Sequence, residues 1–298
     1  MTAPPHLKSG DLVALVATAR FIDPEQLKNS IAQIKSWGLK VSQGDNLTSV
    51  SDQFAGTDTE RASDLQKAIN DSEIRAIICY RGGYGSIRLL DLVDFSGLIT
   101  SPKWICGYSD ITVFHSQLNK LRIKSIHSTM PVNFETNTKE AIDSMRQALF
   151  GNTMEIITEH HDLNRYGSVK GELIGGNLSI LHNLSGTDID LDTKGKILVI
   201  EDLDEYLYHI DRMLHNLNRS GKLQHLAGLI VGGMTEMNDN DIPFGKGANE
   251  IIAEIIAEYN FPVCYNFPIG HITDNRSVIL GEQYNLDVSK HGSTLRVT

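Results

Sequence analysis

A chain of 298 residues, 41% of them hydrophobic and 21% charged, carries enough apolar sequence for a sizeable core, and its length suits two domains. The formal net charge of -10, with no Lys/Arg run, argues against a nucleic-acid partner, because phosphate binding calls for a clustered basic surface. No apolar run approaches the roughly 20 residues that span a bilayer, so no membrane partner is expected.

Cys79, Cys106 and Cys264 are scattered, and none belongs to a C-x-x-C pair. Neither a disulfide framework nor a zinc knuckle follows, and a reducing compartment is the default. The opening MTAPPH has no basic stretch leading into an apolar one, so no signal peptide is visible and a cytoplasmic protein is expected.

In chain order, LVALV at 12–16 predicts a first strand, and 24–38 an amphipathic helix with Leu27, Ile31, Ile34 and Trp37 on one face. An extended segment begins at Val41, a helix covers 59–70, and AIIC at 76–79 reads as a buried strand. A helical stretch at 86–92, a short strand WIC at 104–106 and a helix at 110–121 follow. Strands alternating with helices predict a mainly parallel sheet covered on both faces.

The pattern dissolves around 150–167, where Glu159, His160, His161 and Asp162 stand together in an exposed connection. Adjacent histidines diverge, so no metal site is assigned to them. The expected division is 1–150 for an N-terminal domain, 151–168 for a linker and 169–298 for a C-terminal domain. That second half restarts at GELIGGN (171–177), with a helix at 178–184, a strand KILVI at 196–200 and a helix at 206–218. A strand at 226–231 ending in Gly232-Gly233, a helix at 248–259, a short strand near Val263 and terminal strands from Gln283 complete a mixed α/β unit.

Four polar or glycine-rich segments follow predicted strands, where α/β folds build their sites. CYRGGYGS at 79–86 would turn tightly and present backbone N–H groups to an anion or oxyanion, although a plain strand-to-helix turn reads the same way. ICGYSD at 105–110 places Ser109 at a strand-to-helix turn, either as an exposed nucleophile or as a simple helix cap. IEDLDE at 200–205 offers Glu201 to orient a histidine, or a solvated acidic loop that could take Mg²⁺. FPIGH at 267–271 fixes His271 in a loop suited to a general base or merely to the surface. Together, the order Ser, acid, His matches one of the orders seen for hydrolase triads, with the glycine loop as oxyanion donor. Cys79 and Cys106 lie inside apolar strand runs, which argues against a cysteine nucleophile.

RGGYG at 81–85, GYSD at 107–110, GGNL at 175–178, Glu201-Asp202, YHIDRML at 208–214 and Gly270-His271 together resemble the LD-carboxypeptidase family, over nearly the whole chain and in matching order. That family includes muramoyltetrapeptide carboxypeptidases and microcin C self-immunity peptidases. The resemblance implies an N-terminal α/β domain carrying the nucleophile, a C-terminal domain carrying the acid and base, and an active site between them. It makes Ser109 the nucleophile, Glu201 the orienting acid and His271 the base, with the N–H groups of Gly83 and Asp110 as oxyanion hole. It also implies a homodimer without metal or cofactor, acting on a murein stem peptide and releasing its terminal D-alanine. Arg81, or in competition Arg212, is the candidate for the substrate's free carboxylate, because a guanidinium binds a carboxylate through two parallel hydrogen bonds. Gly82 and Asn177, inside two of the motifs, are further candidates for substrate contact.

Two segments depart from the family pattern: Ala17-Thr18-Ala19-Arg20 after the first strand, and His127-Ser128-Thr129-Met130-Pro131. Both are expected near the site, where they bear on substrate fit. One rival is a microcin-C-like immunity peptidase cleaving an aminoacyl-nucleotide amide; it would need an aromatic nucleobase pocket, and no aromatic-rich insertion stands between 131 and 171. The other is a non-catalytic protein that binds a small anion at Gly82-Gly83.

Overall fold

The computed structural model describes residues 1–152 and 155–298. β1 (Leu12–Val16), β2 (Lys40–Gln43), β3 (Ile74–Cys79), β4 (Trp104–Gly107) and β5 (Ser125–His127) form a parallel sheet in the order β2-β1-β3-β4-β5. Alternate residues of β1 enter different cores, Val13 and Leu15 on one face and Ala14 and Val16 on the other, as the two-residue side-chain period requires. On the first face pack α1 (Pro24–Ser36) and α5 (Lys139–Phe150); on the second pack α2 (Asp58–Asn70), the short α3 (Gly97–Thr100) and α4 (Thr112–Lys120).

Local chemistry starts these helices where they are needed. Asp23 caps α1, whose first residue is a proline, and Thr57 with Glu60 forms a capping box on α2. Thr138 caps α5, which ends on Gly151 in the left-handed conformation. The stretch 86–92 is shorter than its pattern suggests, a 3-10 turn at Ser86–Leu89, because Gly85 at φ 140 enters it without a side-chain cap.

The second sheet contains β6 (Glu155–Thr158), β7 (Gly167–Asn177) and, after α6 (Leu178–Leu184), β8 (Ile197–Leu203). α7 (Leu207–Arg219), β9 (Gly228–Thr235), α8 (Ala248–Ile255) and β10 (Val263–Cys264) follow. β11 (Val278–Leu280), β12 (Gln283–Ser289) and β13 (Gly292–Val297) end the chain. The order is β10-β9-β8-β7-β12-β13-β6, parallel from β10 to β7 and antiparallel beyond it. The three helices α6, α7 and α8 cover one face. β6 falls within 151–168 and pairs with β13, so that connection contributes an edge strand.

β11 does not join its sequence neighbours. It pairs antiparallel with β5, Val278 opposite His127, and thereby becomes the sixth strand of the first sheet. The chain between β10 and β11, which holds His271, is thus drawn across from the second sheet to the first. Among the described residues, no helix is long and apolar enough to cross a membrane.

Close approach of β7 and β8 requires a glycine. Gly175 sits at φ 122 opposite Val199, and a Cβ there would lie 2.0 Å from the Val199 carbonyl oxygen. Gly175→Ala is expected to destabilise the protein by about 3 kcal/mol or more, whereas Gly186→Ala, also at positive φ but facing open space, should cost about 1. Urea unfolding midpoints of the two variants check this ordering.

Candidate active site

β4 ends at Gly107, and Ser109 follows two residues later at φ 62, a left-handed conformation that costs a non-glycine residue about 1–2 kcal/mol. This strained turn leads through a 3-10 turn at Ser109–Ile111 into α4, the geometry of a nucleophile elbow. Gly107 permits it, since a Cβ there would press within 2.8 Å of the Ile111 side chain.

Glu201 reaches the same point from β8 and His271 from the loop before β11. His271 Nδ1 lies 2.6 Å from Glu201 Oε2, and His271 Nε2 lies 3.0 Å from Ser109 Oγ. A carboxylate only accepts, so Nδ1 carries the proton and Nε2 is left to accept from the serine hydroxyl. Glu201 is fully buried. Burial by itself disfavours protonated His271, but the Glu201 charge and hydrogen bond outweigh it, and the imidazole titrates above the usual histidine value.

The loop that carries His271 is held from both sheets. Gly270 at φ 96 comes so close to Glu201 that a Cβ would sit 2.6 Å from its Oε2. Thr235 donates to the His271 carbonyl at 3.0 Å, and Asn275 accepts the Gly270 N–H at 2.8 Å. From the first domain, Asn137 Nδ2 donates to the Thr273 carbonyl at 2.9 Å, and Thr138 Oγ1 donates to Asp274 at 2.9 Å.

A cleft of about 600 Å³ opens over the triad. Gly82, Gly83 and Asp110 line it beside Ser109, and no acceptor among the described residues takes the N–H of Gly83 or of Asp110. Asp110 ties the elbow to the glycine loop: its buried carboxylate accepts the Ser86 N–H at 2.9 Å. Burial raises the Asp110 pKa, and the hydrogen bonds from Ser86 oppose the rise without cancelling it. Arg81 also lines the cleft, its Nη1 donating to the Phe21 carbonyl at 3.1 Å.

Asn177 borders the cleft with its amide already engaged, Nδ2 donating to Asp202 at 2.9 Å and Oδ1 accepting from Ile180 N. Its visible role is to hold Asp202, whose pKa burial pushes up to about 6. Arg212 stands elsewhere, exposed on α7 with its guanidinium over the Tyr208 ring. The adjacent histidines pack apart, His160 against Tyr166 and His161 on Tyr265, and no group of three or more metal-ligating side chains occurs among the described residues.

Several cleft residues escape the motifs. Arg20 was marked only as a departure after the first strand, and Met130 likewise; both line the cleft. Tyr108 packs its ring 4.9 Å from that of His271 and donates to Asn133. Asn133, Ser179, Asp204 and Glu205 carried no local signal beyond an acidic run.

Residues 13–128 match the N-terminal domain of the LD-carboxypeptidases, and residues 170–286 match the C-terminal domain of the same family. The chain is 32% identical to a probable murein peptide carboxypeptidase of Bacillus subtilis, across 96% of this chain and 92% of the relative. The crystal structure of a muramoyltetrapeptide carboxypeptidase from Oxalobacter formigenes superposes with a TM-score of 0.88 at 28% identity, covering 96% of this chain and 98% of that one. A microcin C7 self-immunity protein shares the fold, with a TM-score of 0.86 at 18% identity over 98% of both chains.

If the Glu201 charge holds the His271 proton, Glu201→Gln should lower the His271 pKa. Gly270→Ala, which pushes the carboxylate away, should lower it in the same direction. An NMR titration of the imidazole reads both, and an unchanged titration in Glu201→Gln would remove Glu201 from this role.

Proposed function

The chain belongs to the LD-carboxypeptidase family, and on that premise we propose a serine mechanism run by Ser109, His271 and Glu201. It is an enzyme of the muramoyltetrapeptide carboxypeptidase type, hydrolysing the amide between an L-configured centre and a terminal D-amino acid. The observation that supports the serine mechanism is the chain of two hydrogen bonds from Ser109 through His271 to a buried Glu201.

In this reading Ser109 Oγ attacks the scissile carbonyl carbon as His271 Nε2 takes the hydroxyl proton. Glu201 stabilises the imidazolium and keeps its Nδ1–H in place. The N–H groups of Gly83 and Asp110, without a protein acceptor among the described residues, receive the oxyanion, each worth about 3–4 kcal/mol of barrier. The tetrahedral intermediate collapses, the C–N bond breaks, and His271 returns its proton to the departing amine of the D-amino acid. Water then attacks the acyl-enzyme with His271 as base, regenerating Ser109 and releasing the shortened peptide.

The substrate supported by the family is a murein tetrapeptide that gives up its terminal D-alanine, and Arg81 in the cleft supports recognition of its free carboxylate. The functional division is proposed at 151–168, with the nucleophile in 1–150 and the acid and base in 169–298. Three buried, unpaired cysteines support a reducing, cytoplasmic setting, and the family resemblance supports a homodimer.

Ser109→Ala should lower D-alanine release from an L,D-tetrapeptide by about 10⁴-fold or more while the peptide still binds. Full activity in that variant, or none in the unmodified protein, removes the triad. The base must be neutral to accept a proton, and the His271 pKa is raised. Activity should therefore fall on acidification through a pKa above the usual histidine value. Glu201→Gln should move that acid limb to lower pH while cutting kcat by about 10⁴-fold.

A further inference from the structure

The charge in the cleft is divided. Asp202, Asp204 and Glu205 line one part of it, and Arg20 and Arg81 another, with Ser109 in the same cavity. The acidic side is internally bonded: Asp202 accepts from Asn177 and Ser179, and Glu205 accepts from His209. The basic side is not. The arginine ion pairs among the described residues belong to Arg61, Arg88, Arg122, Arg276 and Arg296. Arg81 spends one Nη1 donor on a neutral carbonyl, and its remaining N–H groups have no protein acceptor among the described residues.

The backbone makes room for this arrangement. A Cβ on Gly83 would lie 2.7 Å from Arg20 Cδ and 2.8 Å from its Nε, so the Arg20 side chain runs directly over the proposed oxyanion donor. The bond from Arg81 to the carbonyl of Phe21 brings the second guanidinium beside the Arg20 backbone. Burial first, and then the Arg20 charge, lower the Arg81 pKa. Two crowded cations without a carboxylate, next to a nucleophile, are stabilised when an anion arrives.

We propose that Arg20 and Arg81 together clamp the free carboxylate of the residue that is released, and that Arg20 is a specificity-determining residue that makes the enzyme require a chain end. The inference rests on the carboxypeptidase reading and deepens it. It also fixes the direction of the peptide, because a terminal carboxylate set against Asp202, Asp204 and Glu205 would be repelled. An amidated or extended C-terminus brings no charge to the arginines and leaves them unpaired, which is a penalty as well as a lost bond.

The experiment compares an L,D-tetrapeptide with its C-terminal amide as substrates. The unmodified enzyme should favour the free acid by about 100-fold in kcat/KM, and Arg20→Gln and Arg81→Gln should each erode that preference by about tenfold, chiefly through KM. Arg20→Lys should restore part of it, since the charge returns without the fork. A preference that survives intact in Arg20→Gln overturns the role of Arg20. Should the unmodified protein cleave neither peptide, the hydrolase reading fails by itself, and binding decides the clamp. Calorimetry with the Ser109→Ala protein should then show the free acid binding about tenfold more tightly than the amide, with the difference shrinking when Arg20→Gln is added. Equal affinity for acid and amide overturns the clamp.

Discussion

A carboxylate with no exposed surface constrains everything around it. Glu201 is fully buried; among the described residues its Oε1 has no hydrogen-bond partner, and its Oε2 pairs with His271. A buried charge left unpaired costs several kcal/mol, so the fold is committed to keeping that imidazole in place. The commitment shows in the glycines. Gly270 and Gly232 both approach the Glu201 side chain, and at either position a Cβ would come within 3.2 Å of it. Ser109 then inherits its partner: once Nδ1 faces Glu201, Nε2 has only the elbow to address.

The triad draws on both sheets, and the means of joining them lies in the last quarter of the chain. β11 leaves the second sheet's sequence to pair with β5, and Ser144 donates to Ser277 just before it. Asn137 and Thr138 bind the backbone and Asp274 of the His271 loop, while Thr235 and Gly233 hold the same loop from β9. Each bond contributes about 1 kcal/mol, too little to matter alone, but all act on one short segment. The His271 loop therefore belongs mechanically to both domains. The 3.0 Å from Nε2 to Oγ is set by that shared loop.

The strands and the polar segments at their ends were legible in the sequence for the same reason: both follow local rules. LVALV, AIIC and KILVI are apolar runs with two buried faces, and the polar segments at their ends are where an α/β sheet places its sites. What escaped depends on long-range pairing. Val278 to Leu280 is three apolar residues with no period to read, and its membership of the first sheet is decided by β5, some 150 positions earlier. The helix at Lys139–Phe150 was open to reading, with Thr138 as cap and Ala141, Met145 and Ala148 on one face, yet its importance lies in the loop bonds before it, which no periodicity announces. In sequence Arg81 is the candidate and Arg212 its competitor. Only packing separates them, one lining the cleft and the other lying over a tyrosine ring.

Beneath the His271 imidazole lies a layer of packed rings. Tyr108 packs between His271 and His127, and His127 in turn approaches His115. Both lower histidines are buried: His115 titrates down to about 4, and His127 falls well below the usual value, by burial first and then by the nearby histidines. His115 is locked as a neutral ring, since the Gly107 carbonyl can only accept from Nε2, leaving Nδ1 to accept from Ser125. Among the described residues His127 has no hydrogen-bond partner on either ring nitrogen, which leaves the cost of a buried charge there unmet. A cluster of three histidines could share protons and blur the site's response to pH. Here two are held neutral by desolvation, and in the third Glu201 outweighs the same desolvation, so one kind of burial leaves opposite outcomes within a single layer. The difference is the carboxylate: with it, enclosure strengthens the Coulomb attraction that raises His271, and without it the same enclosure only disfavours charge.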